Sequence, residues 1–243
     1  MKRVNGTVPQ IPVLSYHHVH DGPDDLFRAS PELLGRQMEL LIAEGYTPIA
    51  PARLFDLAGR QVNDRYAMVT FDDAYVDFLD HAWPILKSLA IPTTLFAISD
   101  YLGGWNEWDR IRWARHRHLD ASAIQRLHAE GVTIGSHSRT HRPLIGLWGA
   151  RLANELSGSR RALEQIVGAP VPAFAYPGGA QSWRVRRATR SVYELGFATS
   201  ADCTGAVCNR YAIPRFDPCF CGDPDVFRRT LDQHCGLGRP SRG

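Results

Sequence analysis

Short β-branched or aromatic runs alternate with amphipathic helical patterns along this chain, and that alternation constrains its fold more than any other feature. The runs are VLSYHHV from Val13, YTPIA from Tyr46, YAMVTF from Tyr66, TTLFAI from Thr93, VTIGSH from Val132, AFAYP from Ala173 and FATSA from Phe197. Between them, Pro31 to Glu44 places Leu34, Met38, Leu41 and Ile42 on one face with Gly45 as a stop. Arg151 to Val167 does the same with Leu152, Leu156, Leu163 and Ile166, and Gly168 follows. Repeated β-α units need crossover helices and therefore a parallel sheet. About seven of them in one α/β domain suggest a closed or nearly closed barrel, although periodicity does not separate that from an open sheet.

At 243 residues, 44% apolar and 22% charged, the chain has the length of one catalytic domain, residues 1–243, able to bury a continuous core. The rhythm breaks once, in an insertion at about 100–120 that carries Gly103, Gly104, Trp105, Trp108 and Trp113. Insertions at the C-terminal ends of parallel strands line active sites. A terminal helix and tail occupy about 223–243, and the stretch after Gly236 reads as disordered. The net charge of +3 and the absence of long basic runs exclude a nucleic-acid footprint. The N-terminus lacks a signal-like apolar core, and no apolar run reaches the length of a membrane span. The expected setting is cytoplasmic, although a chain trimmed of its signal would read the same.

Four of the five cysteines crowd into Cys203, Cys208, Cys219 and Cys221. Reduced thiols in a late loop are the expectation, because the C-x-C spacing departs from that of structural zinc sites.

Three clusters carry chemistry. Asp72 and Asp73 sit together at the end of an apolar strand, where aspartate is a poor strand former. One could cap the helix that follows through Val76, Leu79, Trp83 and Leu86; two adjacent acids can instead divide cation binding from proton handling. His137 and His141, in HSRTH, fall at i, i+4 and can present two imidazoles to one metal. With a strand-end carboxylate they make a two-histidine, one-carboxylate set with open positions for water. Tyr16-His17-His18 ends the first strand, and alternation sends at most one of the two histidines into a site.

TFDD, HSRTH and FAYPGG, in that order, resemble the polysaccharide deacetylase family with the NodB homology domain, also called carbohydrate esterase family 4, over about Pro12 to Pro218. IPVLSYHHV and WNEWD are similar to the permuted branch that includes poly-N-acetylglucosamine deacetylases of exopolysaccharide clusters. The resemblance implies a distorted (β/α)7 barrel. It implies one divalent ion, Zn²⁺ with Co²⁺ or Ni²⁺ as alternatives, on Asp73, His137 and His141, with Asp72 as base.

A late Leu-x-His acid motif is missing, and in the permuted branch the acid comes from the first strand, which points to His17. The family's R-P-P-Y-G motif reads Ala175-Tyr176-Pro177-Gly178-Gly179 here, so its arginine is absent at that place. Arg215, in IPRF, is the expected replacement partner of Asp72. Gly178 stands where relatives carry an aromatic residue, which widens the groove. Tyr176, Pro177, Gly178, Trp105 and Trp108 are the expected substrate contacts, and Trp183 is a further stacking candidate.

The implied reaction is removal of N-acetyl groups from a sugar or polysaccharide, lipid- or nucleotide-linked precursors included. The same site could cleave O-acetyl esters or a non-carbohydrate amide. A carbohydrate-binding protein without catalysis is the alternative of another class.

Overall fold

The computed structural model describes residues 6–22, 26–60, 62–107, 115–199, 203–204 and 206–236. Seven strands form the central sheet in sequence order: β1 (Val13–Tyr16), β2 (Tyr66–Phe71), β3 (Thr93–Ala97), β4 (Thr133–Ser136), β5 (Ala173–Ala175), β6 (Leu195–Ala198) and β7 (Ile213–Pro214). Every neighbouring pair is parallel. Just beyond β7 the chain swings back onto β1, where Ser15 N–H donates to the Phe216 carbonyl at 2.9 Å and Phe216 N–H donates to that of Val13 at 3.1 Å. These bonds bring the sheet to a nearly closed barrel, as expected of the distorted (β/α)7 type.

The strands read as unbroken apolar runs because both faces are buried. Alternate residues divide between two clusters. Val13, Met68, Phe96, Ala175, Phe197 and Ile213 fill one, and Leu14, Val69, Leu95, Ala97 and Ala198 pack in the other with the helices. Gly135 on β4 makes room for the Phe96 ring, which a Cβ there would strike. Burial of one such phenylalanine stabilises the fold by about 1.5–3 kcal/mol.

One member of the expected strand set differs. The run from Tyr46 shortens to Thr47–Pro48, which pairs with Tyr66 and Ala67 off the barrel path. The seventh barrel strand is β7, only two residues long and too short to leave a periodic signal.

Helix α1 (Pro31–Ala43) begins at Ser30, whose hydroxyl accepts from Leu33 N–H, and Gly45 follows at φ +76°. Ile42 is 45% exposed, and Gln37 is buried in its stead. The burial of Gln37 is tolerable because it is satisfied: Tyr16 Oη donates to its Oε1 at 2.7 Å, and its Nε2 donates to the Pro218 and Cys221 carbonyls. The expected helix from Arg151 is interrupted. Gly149–Ala153 leads into a wide π turn over Asn154–Gly158, and α2 (Ser159–Val167) completes it. The extra residue in that turn carries Glu155 into the interior, where the candidate site uses it.

Cys203 and Cys208 form a disulfide across a small antiparallel sheet with Thr7–Pro9, which corrects the expectation of reduced thiols for that pair. Cys219, Cys221 and Cys235 are free. A terminal helix, α3 (Pro224–His234), is present. The tail after Gly236, Trp108 and Trp113 lie outside the described residues. No described helix is long and apolar enough to cross a membrane.

Candidate metal centre and active site

The strand ends of the barrel deliver the polar residues to one rim. β2 stops at Phe71, and Asp72 and Asp73 follow, 3% and 6% exposed. Neither caps the next helical segment. Asp72 is gripped by Arg215, whose two terminal nitrogens donate to Oδ1 at 2.7 Å and to Oδ2 at 2.6 Å. Arg215 reaches it from just beyond β7 and is itself buried. Burial alone would make Asp72 harder to ionise. The guanidinium, the nearby His137 and the two hydrogen bonds reverse this and hold the carboxyl well below the usual carboxylate range.

Asp73 adopts a left-handed backbone, φ +67°, followed by Ala74 at +54°. His118 Nδ1 donates to the Asp73 carbonyl at 2.7 Å and holds that turn. The carboxylate faces the histidines of the HSRTH loop. Its Oδ1 lies 3.5 Å from His141 Nε2 and 3.7 Å from His137 Nε2. Burial works against its ionised form, but His141, His137 and His17 bring its pKa below the ordinary value.

The HSRTH loop leaves β4 with Ser138 at φ +68° and His141 at +57°. Such conformations cost of order 1–3 kcal/mol each and persist only where the surroundings over-determine them. Here Glu155 accepts from the Arg139 and Thr140 amides at 3.0 Å and from the Thr140 hydroxyl at 2.7 Å. Ser138 Oγ accepts from His141 N–H. His137 Nδ1 donates to the Ala175 carbonyl at 2.8 Å, which fixes the tautomer and turns the Nε2 lone pair into the site. Burial pushes His141 down to about 4 despite the pull of Asp73, so its imidazole is neutral at physiological pH.

Asp73, His137 and His141 each offer one ligand atom, all within 4.8 Å of one another. Asp73 Oδ1 is buried with no hydrogen-bond partner among the described residues. An orphaned anionic oxygen facing two imidazole nitrogens fits a divalent cation.

His17 stands on the opposite wall. Its Nε2 lies 3.9 Å from Asp72 Oδ2, and its Nδ1 lies 3.5 Å from Asp217 Oδ2. Burial would lower its pKa, but the contact with the Asp217 carboxylate and the charges of Asp72 and Asp73 win and raise it. Asp217 belongs to no motif that the sequence displays. The available signal was its position two residues after Arg215, on the segment that closes onto β1. His18 also lines the cavity, against the expectation of one inward histidine. β1 ends at Tyr16, so strand alternation no longer governs these two.

The cavity, about 240 Å³, is also lined by Ser15, Phe27, Tyr75, Gly178, Gly179 and Phe216. Gly178, at φ +61°, has nothing within 4 Å of where a Cβ would stand, so this side of the groove is open. Three of the expected substrate contacts fall elsewhere. Tyr176 is fully buried and donates its hydroxyl to the Tyr211 carbonyl, and Pro177 enters the core beside it. Trp105 is 38% exposed, away from the cavity lining, with the Arg115 guanidinium 4.4 Å above its ring. Trp183 is exposed at the start of the helix Trp183–Arg190, also outside the cavity.

Residues 59–196 match the model of the family described as polysaccharide deacetylase. The Bacillus subtilis (strain 168) protein YxkH, provisionally named a polysaccharide deacetylase, is 23% identical over 209 residues, covering 85% of this chain and 70% of that protein. The Streptococcus pyogenes deacetylase PplD, solved in complex with acetate, superposes with a TM-score of 0.78 at 21% identity, over 92% of this chain and 99% of that one. IcaB from Ammonifex degensii superposes with a TM-score of 0.75 at 23% identity, over 93% and 97%.

Proposed function

From the premise that this chain belongs to the polysaccharide deacetylase family, we propose that it is a metal-dependent hydrolase that removes N-acetyl groups from a carbohydrate. One observation carries the reading. A carboxylate locked by Arg215 stands beside an Asp-His-His set with an orphaned oxygen, and a histidine of raised basicity faces both.

Asp73, His137 and His141 would hold the ion, which we take to be Zn²⁺, with Co²⁺ or Ni²⁺ as alternatives. When bound it polarises the acetyl carbonyl and acidifies a water. Asp72 is the base that accepts the water proton, and Arg215 fixes the plane of its carboxylate. Because Arg215 keeps Asp72 ionised, the base is available across the physiological range. His17, whose basicity Asp217 raises, faces the leaving nitrogen and in its protonated form delivers a proton to the amine. Proton transfer of this kind contributes on the order of 10²–10⁴-fold. The Gly178 amide is the candidate donor to the developing oxyanion, since that of Gly179 is already committed to the Tyr176 carbonyl at 2.8 Å. Phe27 and Phe216 offer apolar surface for a sugar face in place of Trp105 and Trp183.

Among candidate substrates, the Cys203–Cys208 pair favours a polymer met in an oxidising compartment over a cytoplasmic nucleotide- or lipid-linked precursor. Amine release should be assayed across N-acetylated oligosaccharides, linked precursors and O-acetyl esters. Release of amine from an N-acetylated oligosaccharide supports the reading. Ester cleavage without any amine release overturns it.

A further inference from the structure

Beside the Tyr75 ring, four potential ligands converge. His18, His20, Asp77 and His116 each offer one donor atom, and these atoms lie within 4.8 Å of one another. We propose that this cluster is a second binding site, for a divalent transition-metal ion, distinct from the Asp73–His137–His141 set.

The ligands come from three separate segments. His18 and His20 flank Val19 after β1, Asp77 precedes the π turn at Phe78–Ala82, and His116 lies on the returning arm of the insertion. Side chains so distant in sequence converge only because the fold brings them together. His18 is 6% exposed, its ring 4.0 Å from that of Tyr75 and 4.0 Å from that of His116, and those two rings lie 5.7 Å from each other. Its Nδ1 lies 2.7 Å from Asp77 Oδ2. The other oxygen, Asp77 Oδ1, is buried with no hydrogen-bond partner among the described residues. A buried carboxylate oxygen left unpaired beside three imidazoles is costly unless something cationic completes it. Three imidazoles and one carboxylate select zinc, cobalt, nickel or copper over calcium or magnesium.

The nearby cavity also exposes Asp80, which adds negative charge, and Arg117, whose Nε donates to the Gly103 carbonyl. His20 is the weakest of the four donors. Its Nδ1 accepts from Gly22 N–H at 3.0 Å, and a metal on the other nitrogen would place the ring proton against that amide. An ion held here would tie the insertion to the loop after β1 and fix Tyr75, which forms part of the catalytic cavity wall.

The test is Co²⁺ titration of the metal-stripped full chain, with bound metal counted and visible absorption recorded. The wild type should bind two equivalents. His116→Ala and the size-conserving His116→Gln should each bind one, His141→Ala should retain the equivalent that His116→Ala loses, and the double variant should bind none. Added metal should also slow proteolysis of the insertion in the wild type and in His141→Ala, but not in His116→Gln. A single equivalent in the wild type, or two in both His116 variants, overturns the proposal. Loss of the Asp73 site alone would leave the His116-dependent equivalent intact, so the two sites fail separately.

Discussion

Arg215 holds Asp72 through two parallel hydrogen bonds of 2.7 and 2.6 Å, in a place where both side chains are buried. The arginine comes from the segment that closes the barrel, and the aspartate from the end of β2. The same contact therefore seals the fold and orients the proposed base.

Removing that arginine should damage both roles. Arg215→Met leaves a buried carboxylate without its partner, a change that costs about 3–5 kcal/mol. Denaturant unfolding should show the loss. The double variant Arg215→Met/Asp72→Asn should recover part of the stability without recovering activity.

Asp217 is expected to set the alkaline limit of turnover. Its contact raises the pKa of His17, so the protonated acid is present below that value and is lost as pH rises through it. The sign for stability is the same. A raised histidine pKa stabilises the fold below the unfolded value of about 6.5, and the contribution fades as pH passes the folded one. Asp217→Asn should move the alkaline limb of the kcat/KM profile to lower pH, with metal content unchanged.

Glu155 organises the loop of two ligands without touching the cavity. Its carboxylate accepts from two amides and a hydroxyl of that loop. Glu155→Ala should weaken metal binding by about 10–100-fold, the usual scale for residues that orient ligands. Glu155→Gln, which keeps one acceptor oxygen, should fall between it and the wild type in a chelator competition.

The two adjacent glycines of the groove should respond differently. A Cβ on Gly179 would collide with Thr199, whereas one on Gly178 meets only open space, although both have positive φ. Gly178→Ala should cost only the left-handed strain, about 1–2 kcal/mol. Gly179→Ala should cost more and should distort the cavity, measured as a larger fall in Tm and in kcat.

Much of this was legible in the chain. Strand runs buried on both faces predict a parallel sheet, and Asp73, His137 and His141, singled out by their spacing as a candidate metal set, do come together in the structure. What escaped has physical reasons. β7 is too short to show periodicity, so its place in the barrel went unseen. Asp217 becomes visible as a partner of His17 only once the chain has closed onto β1. Trp105 invited a stacking role because exposed indoles suit sugars, yet the insertion folds it beside Arg115 instead. Tyr176 lies in the groove motif, but its side chain points into the core.

The most direct test of the central claim is the rate of amine release from an N-acetylated oligosaccharide by metal-loaded Asp72→Asn. The substitution retains the shape of the side chain and leaves Asp73, His137 and His141 in place. The account predicts a protein with wild-type metal content and turnover lower by several orders of magnitude. Asp72→Asn releasing amine at the wild-type rate would contradict it.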